Sequence, residues 1–210
     1  MMLRIPISPP NQLTLLRILM TPVFLYYLFS ENPVDKQIAL GIFIIAAITD
    51  WYDGYVARRW GFITRWGKFL DPLADKILTS AAFISFIYIG YAETWMVWII
   101  VVRDLFMTCL RGYAEFKGKP INTSGFAKTK TFFQLVVIYL FLVNYIVRTS
   151  DNLNLQFGWF FDMTASPAIM YFLMVITTLL TALTGLMYLN SNKNIITDLF
   201  SREQHGPTTE

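Results

Sequence analysis

Apolar stretches run roughly through residues 12–30, 38–58, 69–91, 93–111, 131–148 and 166–190, separated by short polar or turn-forming segments. At about 1.5 Å of rise per residue, each is long enough as a helix to cross a hydrocarbon core of about 30 Å. The pattern predicts an all-α polytopic membrane protein with six transmembrane helices. A soluble all-α bundle is the alternative, but it would carry more charge and break its apolar runs sooner. Pro9 and Pro10 block a helix before them, and Asn11 suits the N-cap of the first span. The start, MMLRIPISPPNQL, is too proline-rich for a signal n-region, and no small-residue cleavage site follows, so the first span is expected to be retained. With no internal repeat and no long linker, residues 1–192 read as one membrane domain and 193–210 as a polar C-terminal tail.

Composition supports the membrane reading: 55% of the 210 residues are hydrophobic and only 15% are charged. Charge then gives orientation. Six spans place segments near 31–37, 91–93 and 149–165 on one side, and these with their flanks hold only Lys36 and Arg148 among the basic residues. The remaining Lys and Arg lie on the other side or within helices near it. The positive-inside rule puts both termini in the cytoplasm, as expected for a multi-pass protein of the cell inner (cytoplasmic) membrane. Trp51, Trp60 and Trp66 then fall at the cytoplasmic interface and Trp95, Trp98 and Trp159 toward the outer one, an aromatic belt that needs no functional role.

The chemistry available is narrow. Cys109 is the single cysteine, which excludes an intrachain disulfide and a thiolate metal cluster, and the single histidine, His205, lies in the polar tail. Carboxylates and cations must do the work. They concentrate in DWYDGYVARRWGFITRWGKFLDPLADK, from Asp50 to Lys76. Asp50 and Asp53 are three apart and share a helix face, continued by Gly54, Ala57 and Arg58; Gly67, Asp71 and Asp75 are spaced by four and stack on the next helix. Four carboxylates at one depth would repel strongly in a partly dehydrated site. Lys76 and Arg58 offset part of this charge, and an all-oxygen set suits hard divalent cations, Mg2+ or Mn2+. Two such ions form an established device for phosphoryl displacement. The small residues leave room for a flat base or a diphosphate near the backbone. The bland alternatives are an N-cap role for Asp71 ahead of Pro72 and ordinary interfacial charge for Asp50 and Asp53.

The run Asp50-x2-Asp53-Gly54-x2-Ala57-Arg58-x8-Gly67-x3-Asp71-x3-Asp75 resembles the full signature of the CDP-alcohol phosphotransferases (CDP-alcohol phosphatidyltransferases), with every defining position present. The resemblance extends over most of the chain. It implies an enzyme that moves a substituted phosphate from a CDP-linked donor to an alcohol and releases CMP. By position, Asp50, Asp53 and Asp71 would bind one metal and Asp50, Asp71 and Asp75 the other, with Asp75 also the general base. Gly54, Ala57, Arg58 and Gly67 would line the nucleotide pocket, and the active site would lie at the cytoplasmic ends of helices 2 and 3. The resemblance further implies a homodimer.

A second group bears on the acceptor. Arg103 and Arg111 are eight apart on helix 4, and Lys128 and Lys130 open helix 5 on the same side. An arginine in an apolar helix is costly unless it meets an anion, so these cations are candidates for binding an acceptor phosphate; interfacial positive-inside residues are the alternative. Pro10, Asn11, Leu13, Thr14 and Arg17, the arginine pair, and Lys128, Lys130, Thr131 and Gln134 together resemble the phosphatidylglycerophosphate synthase branch. That branch implies CDP-diacylglycerol as donor and sn-glycerol 3-phosphate as acceptor, with Asn11, Thr14 and Arg17 as further substrate-binding residues. Asp104 stands where the branch usually has glutamate, and Ala127 where it has glycine. Inositol phosphate or phosphatidylglycerol as acceptor remains open. From another class, a divalent-cation transporter would use the same carboxylates, but it should carry polar residues on a path to both faces. No nucleic-acid partner is expected.

Overall fold

The structure, a computed structural model, describes the backbone of residues 9–60, 65–118 and 125–201 and the side chains of 15–49, 72–118 and 129–197. Among these residues all regular structure is helical: α1 (Pro9–Leu28), α2 (Pro33–Trp60), α3 (Arg65–Ile89), α4 (Thr94–Phe116), α5 (Gly125–Thr149), α6 (Asp151–Thr164), α7 (Pro167–Ser191) and α8 (Lys193–Ser201). Six of them coincide with the six apolar runs. The other two, α6 and α8, occupy the segment expected outside the membrane and the start of the polar tail.

One helix start differs from the sequence expectation, and one alternative for a second helix is removed. α1 already begins at Pro9, because proline has no N–H to lose in a first turn. Asn11 therefore lies inside that turn and not at the cap. α3 begins at Arg65 and runs through Asp71 and Pro72, which removes the N-cap alternative for Asp71. Pro72 lacks the N–H that would bond the Lys68 carbonyl one turn back.

The α3–α4 turn has a clear cause. Gly90 takes φ 84°, which glycine allows at no steric cost. Its N–H donates to the Ile87 carbonyl at 3.1 Å and the next, Tyr91 N–H, to the Phe86 carbonyl at 2.8 Å. These paired bonds satisfy the last carbonyls of α3 and reverse the chain. α7 is started by Ser166, whose side chain accepts from Ile169 N–H, with Pro167 at the first helical position.

α1 packs on α2 and α3, α3 on α4, α4 on α7, and α5 on α2, α3, α6 and α7. An aromatic seam joins them: Phe24 to Phe43 at 5.4 Å between ring centroids, Phe43 to Tyr139 at 5.5 Å, and Phe86 to Phe141 at 5.2 Å. Such tilted and edge-on pairs each add roughly 0.5–1.5 kcal/mol beyond area burial. The seam continues to the α3–α4 turn through Tyr91, whose hydroxyl donates to the fully buried Asn144 amide oxygen at 2.7 Å. Beside it, the buried Lys36 ammonium stands over the Tyr145 ring at 5.1 Å, a contact that offsets part of its desolvation.

The outward surface is apolar. Leu19, Ile45, Ile48, Phe106, Phe132, Phe172 and Leu186 are all exposed, an arrangement suited to hydrocarbon and not to water. Three stretches, Pro72–Ile89, Thr129–Thr149 and Pro167–Ser191, are long and apolar enough to cross a membrane by length and composition alone. α4 carries Arg103 and Asp104 in its middle and Arg111 nearer its end, so its place among apolar neighbours depends on how those charges are met.

Candidate active site

The backbone puts Asp50, Asp53, Gly54, Ala57 and Arg58 on the last turns of α2 and Gly67, Asp71 and Asp75 on the first turns of α3. Of these, only Asp75 has a described side chain. It is half-buried, with Lys76 Nζ 3.7 Å from its Oδ2. The backbone carbonyl of Asp75 accepts from Thr79 Oγ1 at 3.1 Å. Among the described residues no three His, Cys, Asp or Glu side chains gather to hold a metal, and the other three aspartates lie outside them. The Asp75 carboxylate suits a hard cation: it keeps solvent access, and its ionic partner among the described residues is a lysine beyond ordinary hydrogen-bond length.

Lys76 links Asp75 to a second charged centre, organised by Asp104 of α4. Its carboxylate is buried at 5% exposure. Oδ1 accepts from Arg103 Nη1 at 3.0 Å and from Lys130 Nζ of α5. Oδ2 faces Lys76 Nζ of α3 at 3.7 Å. Three helices thus deliver a cation each to one carboxylate. Removing the carboxylate from such a buried set typically costs about 3–5 kcal/mol, because the cations are left without their common anion. The expectation that Arg103 must meet an anion is met by its own neighbour in the chain.

α7 holds the far side of Arg103. Its threonines donate to carbonyls one turn back, Thr181 Oγ1 to Thr177 O at 2.6 Å and Thr184 Oγ1 to Leu180 O at 2.6 Å. That satisfies each hydroxyl proton in an apolar helix and leaves its lone pairs facing the bundle. Arg103 Nη2 donates to Thr184 Oγ1 at 3.1 Å, and Gln134 Nε2 donates to Thr181 Oγ1 at 3.4 Å. Arg103 Nε packs against Gly185 and has no hydrogen-bond partner among the described residues.

The sequence profile of the family described as CDP-alcohol phosphatidyltransferase matches residues 7–189. The chain belongs to that family. Among its curated relatives, the Bacillus subtilis (strain 168) CDP-diacylglycerol–glycerol-3-phosphate 3-phosphatidyltransferase is 36% identical over 147 residues, covering 64% of this chain and 76% of that protein. A probable phosphatidylglycerophosphate synthase of Mycobacterium tuberculosis (strain CDC 1551 / Oshkosh) is 41% identical over 136 residues, 63% of this chain and 65% of that protein. The CDP-diacylglycerol–glycerol-3-phosphate 3-phosphatidyltransferase of Salmonella paratyphi A (strain ATCC 9150 / SARB42) is 35% identical over 135 residues, 61% and 73%.

In this phosphatidyltransferase the residues expected to bind the acceptor divide. Arg103 and Lys130 come together on Asp104, with Lys130 almost wholly enclosed at 2% side-chain exposure against 17% for Arg103. Arg111 is exposed on α4, and the side chain of Lys128 lies outside the described residues. Asn11 and Thr14 sit on α1 with side chains also outside them; Arg17, further along α1, is buried at 2%. Sequence reasoning placed Asp104 at the acceptor pocket only as a departure from the branch pattern, without its ionic role, and it missed Thr184 and Gly185. The available signal was a carboxylate directly beside an intramembrane arginine, a pairing that should always prompt a search for further cations.

Proposed function

We propose that this chain transfers a phosphatidyl group from CDP-diacylglycerol to sn-glycerol 3-phosphate, giving phosphatidylglycerol phosphate and CMP. The observation that carries the reading is the intact run from Asp50 to Asp75 inside the segment matched by the family. Relatives named for this reaction support the choice of donor and acceptor. Family membership favours this enzyme over a cation transporter.

Asp50, Asp53, Asp71 and Asp75 would hold two divalent ions, Mg2+ or Mn2+. When bound, those ions supply positive charge to the donor diphosphate and to the departing CMP. Gly54, Ala57, Arg58 and Gly67 line the nucleotide pocket. Asp75, partly open to solvent, takes the proton from the acceptor hydroxyl, a role worth about two to four orders of magnitude in rate. Arg103, with Arg111 and Lys128, gives the acceptor phosphate a cationic surface, with Lys130 enclosed beside Asp104, while Asn11, Thr14 and Arg17 of α1 add substrate contacts. In the membrane, α1 to α5 and α7 form six spans with both termini in the cytoplasm. The reacting ends of α2 and α3 then meet soluble acceptor and inner-leaflet donor together. The assembly is a homodimer in the cytoplasmic membrane.

The test is incorporation of isotopically labelled glycerol 3-phosphate into lipid by purified protein in CDP-diacylglycerol micelles with Mg2+. Label in a lipid with the mass of phosphatidylglycerol phosphate supports the reading. Label remaining in the aqueous phase, with the protein folded, removes it.

A further inference from the structure

The two cations of the acceptor group that meet at Asp104 do not have equal access to a substrate. Lys130 Nζ bonds Asp104 Oδ1 with 2% of its side chain exposed, so it lies behind the carboxylate. Arg103 and Lys76, at 17% and 16%, reach the surface in front of it. The Arg103 guanidinium is held at two of its nitrogens, Nη1 by Asp104 and Nη2 by Thr184 Oγ1, while Nε packs against Gly185. Lys76 stands 3.7 Å from Asp104 Oδ2 and the same distance from Asp75 Oδ2. A chain of charge therefore runs from Lys130 through Asp104 to Arg103 and Lys76, and on to Asp75.

We infer that Asp104 is the positioning residue of the acceptor site and that Lys130 acts through it, as its buried counter-ion and not as a direct ligand of the acceptor. The inference rests on the reading above, that the acceptor carries a phosphate. The physical argument is mutual repulsion. Without the Asp104 carboxylate, three like charges on α3, α4 and α5 would share one low-dielectric space with no common anion. They would separate by rotamer changes, and Arg103 would lose the contact that sets its plane. An anionic acceptor would then meet mobile cations and not a preformed surface, and would bear the cost of ordering them on binding. The donor, held by residues on α2 and the start of α3, would be little affected.

Asp104→Asn and Asp104→Glu test this by steady-state kinetics in both substrates on purified folded protein. For Asp104→Asn we expect the acceptor KM to rise about tenfold or more while the donor KM stays within about twofold. Asp104→Glu, which keeps the charge and adds a methylene, should recover most of the loss, leaving the acceptor KM within about threefold of the unmutated protein. Lys130→Met should raise the acceptor KM as Asp104→Asn does, and the double variant should be no worse than either single one. Equal rises in both KM values, or loss of thermal stability with unchanged constants in the folded fraction, would overturn the inference and leave a structural ion pair. Multiplied effects in the double variant would make Lys130 an independent ligand and also overturn it. If Asp104→Asn does not fold, Lys130→Met with unchanged acceptor KM overturns it by itself. Failure of the unmutated protein to use any phosphorylated acceptor would instead strike the reading on which the inference rests.

Discussion

Gly185 of α7 stands directly against Arg103 of α4: a methyl group at position 185 would lie 3.0 Å from Arg103 Nε and 3.2 Å from its Cγ. The contact is tight because Thr184 and Asp104 already hold the other edges of the guanidinium. Any side chain at this position would push the Arg103 side chain from its observed place by a few tenths of an ångström.

Gly185→Ala should therefore do harm although alanine is the better helix former. The helical gain is up to about 1 kcal/mol, whereas overpacking costs about 1–3 kcal/mol. We expect a lower thermal midpoint in detergent and a raised acceptor KM, checked by a melting curve and by kinetics on the same preparation. A stabilised variant with normal kinetics would show that Arg103 can move aside freely.

Asp75→Asn should keep the fold and reduce turnover by at least about a hundredfold, the usual scale for a general base. Single-turnover CMP release by the purified variant measures this. Turnover near that of the unmutated protein would take Asp75 out of the base role.

Arg103→Ala should raise the acceptor KM more than the donor KM, because the fold keeps Asp104 balanced by Lys76 and Lys130. Varying each substrate in turn reads the difference. Equal changes would assign Arg103 to packing alone.

The sequence and the structure agree most closely where the information is local. Apolar runs of membrane length announce six of the helices, and Asp50 and Asp53 fall on α2 and Asp71 and Asp75 on α3, as their spacing suggests. α6 was not legible because DNLNLQFGWFFDMT mixes polar and aromatic residues without a long apolar run. The start of α1 was misplaced because proline at the edge of a helix was taken for a boundary. The part played by Asp104 was hidden for a different reason. Its partners Lys76 and Lys130 lie on other helices, and Thr184 meets Arg103 across 81 residues of chain. Helix packing, and no pattern along the chain, brings them together.

Tyr91→Phe offers a control at the other end of α3. It would leave the buried Asn144 amide oxygen without its donor, at a cost of about 1–3 kcal/mol. Tyr91 lies roughly 20 Å along the bundle from Asp75, at about 1.5 Å per helical residue. A reduced melting temperature with unchanged KM values is the expected result, and altered acceptor kinetics would show that the two ends are coupled.

Chelation of divalent ions should stop CMP release, and added Mg2+ or Mn2+ should restore it, if the aspartates hold a metal centre. Asp50→Asn or Asp71→Asn should then require more added metal for the same rate. Full activity in chelator would rule out a readily exchanged metal.

The most direct test of the central claim is CMP release by the purified protein with CDP-diacylglycerol and Mg2+, comparing no acceptor, glycerol 3-phosphate, inositol phosphate, serine and phosphatidylglycerol. We expect release driven by glycerol 3-phosphate alone. Release with a different acceptor, or with none of them, would contradict the assignment of this chain to phosphatidylglycerol phosphate synthesis.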